Sequence, residues 1–162
     1  ALIFNKKFMP TVKKILVVVS FLFYIVACCT DAYRGPTSDS GYMGIMCLSF
    51  GWLSFLMGFA PFVSWLANFP YFVNLFFVLF GKKPWMRLVS SMFAIVSLFL
   101  SFGAFGVTEI LLNEAGDKVP ATFGPALYLW IVSFLIMVVA AIMPAEKKPV
   151  EIQYVNNPNP IR

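Results

Sequence analysis

The sequence predicts an all-α integral membrane protein with four transmembrane helices and one re-entrant or interfacial helix; five transmembrane helices is the alternative. Three observations predict it. Of 162 residues, 60% are hydrophobic and 12% charged, against roughly 25% charged in a soluble domain. The apolar residues fall in runs of about 18 or more, the length a helix needs to cross a bilayer. No charged side chain falls well inside those runs. Residues 1–143 therefore read as one helical bundle and residues 144–162 as an extended, Pro-rich cytoplasmic tail.

The first run, residues 11–29, follows Lys6, Lys7, Lys13 and Lys14. Its end, Ile25-Val26-Ala27-Cys28, has the shape of a lipoprotein cleavage box, but the segment is expected to be retained as an uncleaved first span. A polar, turn-forming loop covers 30–40. The runs 42–60 and 62–80 are separated only by Pro61. A basic cluster, Lys82, Lys83 and Arg87 around Trp85, follows them. The run 88–107 leads to an acidic loop with Glu109, Glu114 and Asp117, and the last run covers 123–143.

Charge placement decides how many runs cross. Five crossings with the N-terminus inside would leave five Lys/Arg inside and seven outside. If the pair 42–80 crosses only once, the count becomes ten inside and two outside. The second arrangement obeys the positive-inside rule and makes both termini cytoplasmic. Trp65 and Trp85 lie about 30 Å apart along a helix, and tryptophans favour both membrane interfaces. The crossing is therefore expected at 65–85, with 42–60 lying on the outer side. The reverse assignment, with 42–60 crossing, stays open.

In lipid, helices associate where small residues let backbones approach. Ser90, Ala94, Ser97, Ser101 and Ala104 form such a stripe on the fourth run. Ala126, Ser133 and Ala140 recur every seven residues on the last. Antiparallel packing of these two helices is expected. A third stripe, Gly44, Cys47, Gly51, Ser54 and Gly58, predicts that 42–60 is helical and packed on protein. Bundle packing explains all three stripes more simply than a narrow pore does, because selectivity also needs charge rings or carbonyl filters.

Chemistry-bearing residues are few. There is no histidine, which removes the commonest metal ligand and the commonest general base near neutral pH. Cys28, Cys29 and Cys47 are too few for a four-ligand zinc site. They read as packing residues, with a structural disulfide or a redox or acylation role as alternatives. Asn68 and Asn74 are the amides within a span, and they read as interhelical hydrogen-bonding groups or as a polar ligand site beside Pro70, Asn74 the more informative. The outer carboxylates, including Asp31 and Asp39, read as a solvated acidic face. Lys82, Lys83 and Arg87 fit attraction to lipid headgroups, about 1 kcal/mol each. The net charge of +5 is grouped beside apolar runs and so points to membrane lipid rather than nucleic acid. No residue is assigned to catalysis, a cofactor or a metal.

The tail carries Val150-Glu-Ile-Gln-Tyr-Val155, alternating as a strand added to a partner's sheet edge would. Such a polar segment has no core of its own and is expected to order on a partner protein. The functional expectation is a non-catalytic accessory or structural subunit of a larger membrane complex. The alternative is a small transport or lipid-handling protein using the kinked helix that bears Asn74. Small size, short loops and an Ala start point to a bacterial inner membrane; Trp65-Leu-Ala-Asn-Phe-Pro70 is similar to a helix start in small proteins of that membrane, a likeness that carries no activity.

Overall fold

The computed structural model describes residues 8–36, 41–56, 58–81, 83–111 and 116–144. The elements run α1 (Phe8–Cys28), β1 (Asp31–Arg34), β2 (Gly41–Met43), α2 (Gly44–Phe50) and a 3₁₀ segment, Gly51–Leu56. Then come α3 (Phe59–Leu66), α4 (Asn68–Phe80), α5 (Pro84–Ser101) and a second 3₁₀ segment, Phe102–Gly106. Three short strands, β3 (Glu109–Leu111), β4 (Lys118–Pro120) and β5 (Thr122–Phe123), precede α6 (Pro125–Ile142). The basic residue Lys82, the acidic residues Asp39 and Glu114, and the whole tail 145–162 lie outside the described residues.

Four stretches are long and apolar enough to cross a membrane: Thr11–Cys28, Phe59–Phe80, Pro84–Gly106 and Pro125–Ile142. Their 18 to 23 residues correspond to about 27–35 Å of helix. Gly44–Leu56 is apolar but shorter. The third run needs a correction. Its helix covers Phe59–Phe80 rather than 65–85, and Trp85 lies in the first turn of α5. Pro61 does not separate two runs; it occupies the first turn of α3, where a missing N–H costs nothing because those groups have no intrahelical acceptor. Pro70 leaves the Leu66 carbonyl without its donor, and the helix is interrupted nearby, at Ala67.

The expectation of one helix over 42–60 also changes. The chain there is a strand, one α-helical segment and a 3₁₀ segment, ending at Gly58. Gly58 has φ 154° and ψ 166°, a region open essentially to glycine alone. That conformation lets the chain leave the 3₁₀ segment and re-enter a helix at Phe59.

Proline opens both later helices. Pro84 and Pro125 occupy the first helical position of α5 and α6, where fixed φ and absent N–H suit a helix start. The α5 stripe is fully internal: Ser90, Ala94, Ser97, Ser101 and Ala104 are all buried. So are Ala126, Ser133 and Ala140. Helix α6 packs on α5, and more extensively on α1; it also meets α4. Tyr71, Phe134 and Met137 are the largest fully buried side chains. Around them Tyr24 stacks on Tyr71, with ring centres 5.0 Å apart. Large apolar side chains such as Phe69, Phe76, Phe80 and Phe99 are left exposed on the outer surface.

Short strands cap one end of the bundle. β1 is central in a three-stranded antiparallel sheet, order β2-β1-β5, with Tyr33 opposite Tyr42 on one side and Phe123 on the other. β3 and β4 form a separate hairpin with Ile110 opposite Val119. Chain direction places the cap at the end of α1 and the starts of α3 and α6. Phe8, Pro84 and Pro144 therefore lie at the opposite end.

Candidate functional site

The polar side chains inside the helices converge just below the cap. Asn68, the first residue of α4, accepts two hydrogen bonds on Oδ1. One comes from the Tyr24 hydroxyl of α1 at 2.7 Å and one from Trp130 Nε1 of α6 at 3.2 Å. Its Nδ2 donates to the Trp65 carbonyl at 2.8 Å. A carboxamide has two acceptor sites and two donor hydrogens, so both acceptor sites and one hydrogen are committed. The two flanking donors also fix which end of the amide is oxygen. A second layer lies beneath. Ser20 of α1 donates to the Ser133 carbonyl of α6 at 2.7 Å and shares a hydrogen bond with Tyr71 Oη at 3.0 Å. Ser133 Oγ in turn donates to the Trp130 carbonyl at 2.6 Å.

The Asn68 bonds form the floor of a cavity of about 610 Å³. Tyr24, Trp65, Asn68 and Trp130 line its base. One wall is the small-residue stripe Gly44, Cys47, Gly51, Ser54 and Gly58, all five of which face it. That wall is held closely. A Cβ on Gly44 would lie 2.1 Å from the Ala27 carbonyl oxygen, so only glycine lets α2 approach α1 so nearly. Trp65 Nε1 donates to the Leu48 carbonyl at 2.8 Å, pinning α2 to α3. Tyr33 and Tyr42 also line the cavity, and their hydroxyls donate to the Ala104 and Leu111 carbonyls, each at 2.9 Å.

Charge appears only where the cavity meets the cap. Among the described lining residues the charged pair is Glu109 and Lys118, 3.8 Å apart across the β3–β4 hairpin. Asp31 pairs with Arg34 at 3.1 Å on the exposed face of the cap. Burial lifts the Tyr33 phenol above its ordinary range, with Cys47 adding to the effect. Burial, and secondarily Cys28, pushes the Cys47 thiol up to about 12. A thiol at that value is protonated at neutral pH and a poor nucleophile. Cys28 and Cys47 line the cavity, Cys29 is exposed, and all three are free thiols.

The structure separates the two asparagines. Asn68 lines the cavity; Asn74 does not. Asn74 is fully buried between α4 and α5, where Ser90 Oγ bonds its Oδ1. Its Nδ2 has no hydrogen-bond partner among the described residues. Lys83 and Arg87 lie exposed at the end opposite the cap, beside the exposed Trp85.

Sequence reasoning passed over Ser20, Tyr24, Tyr71 and Trp130. One signal was available: Ser20 and Tyr24 are four apart on α1, and Asn68 and Tyr71 three apart on α4, so each pair shares a helix face. What the arrangement can do is hold three helices together and present one amide N–H at the base of a largely apolar cavity. Compared with known proteins, the chain matches no family model, no curated protein and no solved structure.

Proposed function

We propose that the chain is a four-span integral membrane protein serving as a non-catalytic accessory or structural subunit of a larger membrane complex. One observation carries the structural role: a cluster of buried polar side chains in the apolar helices ties three of those helices to one another. Ser20, Tyr24, Asn68, Tyr71, Trp130 and Ser133 link α1, α4 and α6, in a setting where such bonds contribute about 1 kcal/mol each. The tally of ten basic residues against two supports a cytoplasmic side opposite the cap. Both termini then lie in the cytoplasm of a bacterial inner membrane.

The test is gentle extraction of the native protein, followed by mass determination and identification of whatever co-migrates. The reading expects a stoichiometric assembly that is lost on deleting residues 145–162. A lone monomer, or full association without the tail, would count against it. A second reading, a small transport or lipid-handling protein, is supported by the cavity. It would work through Asn68 rather than Asn74.

A further inference from the structure

We infer that the cavity beneath the cap is a binding site for an uncharged acyl lipid bearing an ester carbonyl. The carbonyl oxygen sits on Asn68 Nδ2 and the chain runs along the apolar wall. This site is independent of the accessory-subunit reading and shares with it only the placement of the four helices in a membrane.

Size comes first. About 610 Å³ falls within the roughly 300–1,000 Å³ of small-molecule sites. At the ~30 Å³ that a water occupies, it holds on the order of twenty non-hydrogen atoms.

Hydrogen-bond polarity comes next. Tyr24 and Trp130 already occupy both acceptor sites of Asn68, while Nδ2 has committed one of its two hydrogens, to Trp65. The base therefore offers a donor and asks for an acceptor. Asn68 is 7% exposed, and it lines the cavity.

Charge narrows the class further. Glu109 and Lys118 neutralise each other at the cap side. A charged group carried down to Asn68 would lose its hydration without a counter-ion, which is costly.

Depth then selects the chain. Asn68 lies nine residues into Phe59–Phe80, about 14 Å along the helix from its capped end. Its partners Tyr24 and Trp130 lie four and five residues from the capped ends of α1 and α6, about 6–8 Å of helix, so the amide sits beneath the outer boundary of the apolar layer, where an ester carbonyl reaches it and its chain continues among apolar side chains. The wall made by α2 and the following 3₁₀ segment is apolar away from the cavity as well, where Ile45, Trp52 and Phe55 are exposed and do not line it. A lipid-soluble ligand meets compatible surface on both faces of that wall.

The experiment uses the purified full chain in detergent, with Trp52 and Trp85 replaced by phenylalanine. These two are exposed, so the remaining indoles, Trp65 and Trp130, both report on the cavity. The probe is a monoacylglycerol brominated on its acyl chain, which quenches nearby indoles. The expected result is saturable quenching at one site, with apparent affinity reduced at least tenfold by Asn68→Leu. Ser54→Phe should reduce it as much. That change narrows the cavity from the wall and removes none of the three bonds to Asn68, since Ser54 bonds the Gly51 carbonyl of its own turn.

Equal quenching in Ser54→Phe would put the lipid elsewhere and overturn the site. Competition by oleate at neutral pH as effective as by unlabelled monoolein would overturn the uncharged class. Equal competition by octadecene would overturn the role of the carbonyl. Release of the native protein from membranes by alkaline carbonate without detergent would instead remove the membrane placement, and both readings with it.

Discussion

Asn68 and Asn74 sit on the same helix, six residues and about 9 Å apart. Their surroundings give them different work. Asn68 joins α1, α4 and α6 through two accepted bonds, lines a cavity, and has one of its two amide hydrogens committed, to Trp65. Asn74 has Ser90 on its oxygen and, among the described residues, no partner for its nitrogen, in a fully buried position between α4 and α5. Turning the Asn74 amide over would only exchange which atom is orphaned. The difference teaches that an amide inside an apolar bundle is defined by what converges on it. Below the cap three helices and a loop wall leave room, and tyrosine and tryptophan reach in. Toward the far end the small-residue face of α5 packs directly on α4, and Ser90 is the partner that reaches Asn74.

The largest contrast within the capped region should appear in thiol chemistry. Cys29 is exposed, whereas Cys47 is half-buried on the cavity side of α2 with its thiol raised to about 12. A raised thiol stays protonated until the pH approaches that value, so at pH 8 only on the order of 10⁻⁴ of Cys47 is thiolate. Maleimide labelling of single-cysteine variants at pH 8 should run on the order of a hundredfold slower at Cys47 than at Cys29. Comparable rates would mean that the wall is open and that the cavity is part of the surface.

Next in size is the seating of that wall. Gly44→Ala sets a methyl 2.1 Å from the Ala27 carbonyl oxygen and 3.0 Å from the Cys28 Cα. Both are backbone atoms that cannot swing aside. Overpacking of this kind costs about 2–3 kcal/mol, which unfolding in mixed detergent micelles would register. A neutral Gly44→Ala would show α2 free to retreat, and the enclosure around Asn68 would lose its basis.

Asn68→Leu should follow, at about 2 kcal/mol. It strands the Tyr24 hydroxyl and the Trp130 indole N–H, two donors whose removal from water then goes uncompensated. The same unfolding assay reads it, and Tyr24→Phe combined with Asn68→Leu should recover part of the loss. If Asn68→Leu proved harmless, the convergence of three helices on that amide would carry no energy.

The bundle was legible in the sequence because length and apolarity are local properties. The α5 stripe from Ser90 to Ala104 could be read from spacing alone, since each member repeats on one helix face. The cap was not legible. Its strands are two to four residues long, too short for alternation to stand out. The Asn68 site was half legible. The amide itself drew notice, but Tyr24 lies 44 residues away and Trp130 62, and no local pattern announces such partners. Trp65 misled in a specific way. Its spacing from Trp85 fits an interface anchor, yet its indole turns inward to the Leu48 carbonyl, and the helix begins six residues before it, at Phe59.

The smallest effect should belong to Asn74→Leu, within about 1 kcal/mol of the parent. Leucine forfeits the bond from Ser90, a modest loss between apolar helices. It also deletes a buried donor that has no acceptor, and removing such a group offsets what the bond contributed. The two terms oppose each other at Asn74 and add at Asn68, which is why similar truncations on one helix should differ. Ser90→Ala made alone separates them, because it leaves both ends of the Asn74 amide unpartnered and should cost more than Asn74→Leu does. Should Asn74→Leu instead destabilise as much as Asn68→Leu, an acceptor must reach Nδ2, and the contrast between the two asparagines would collapse.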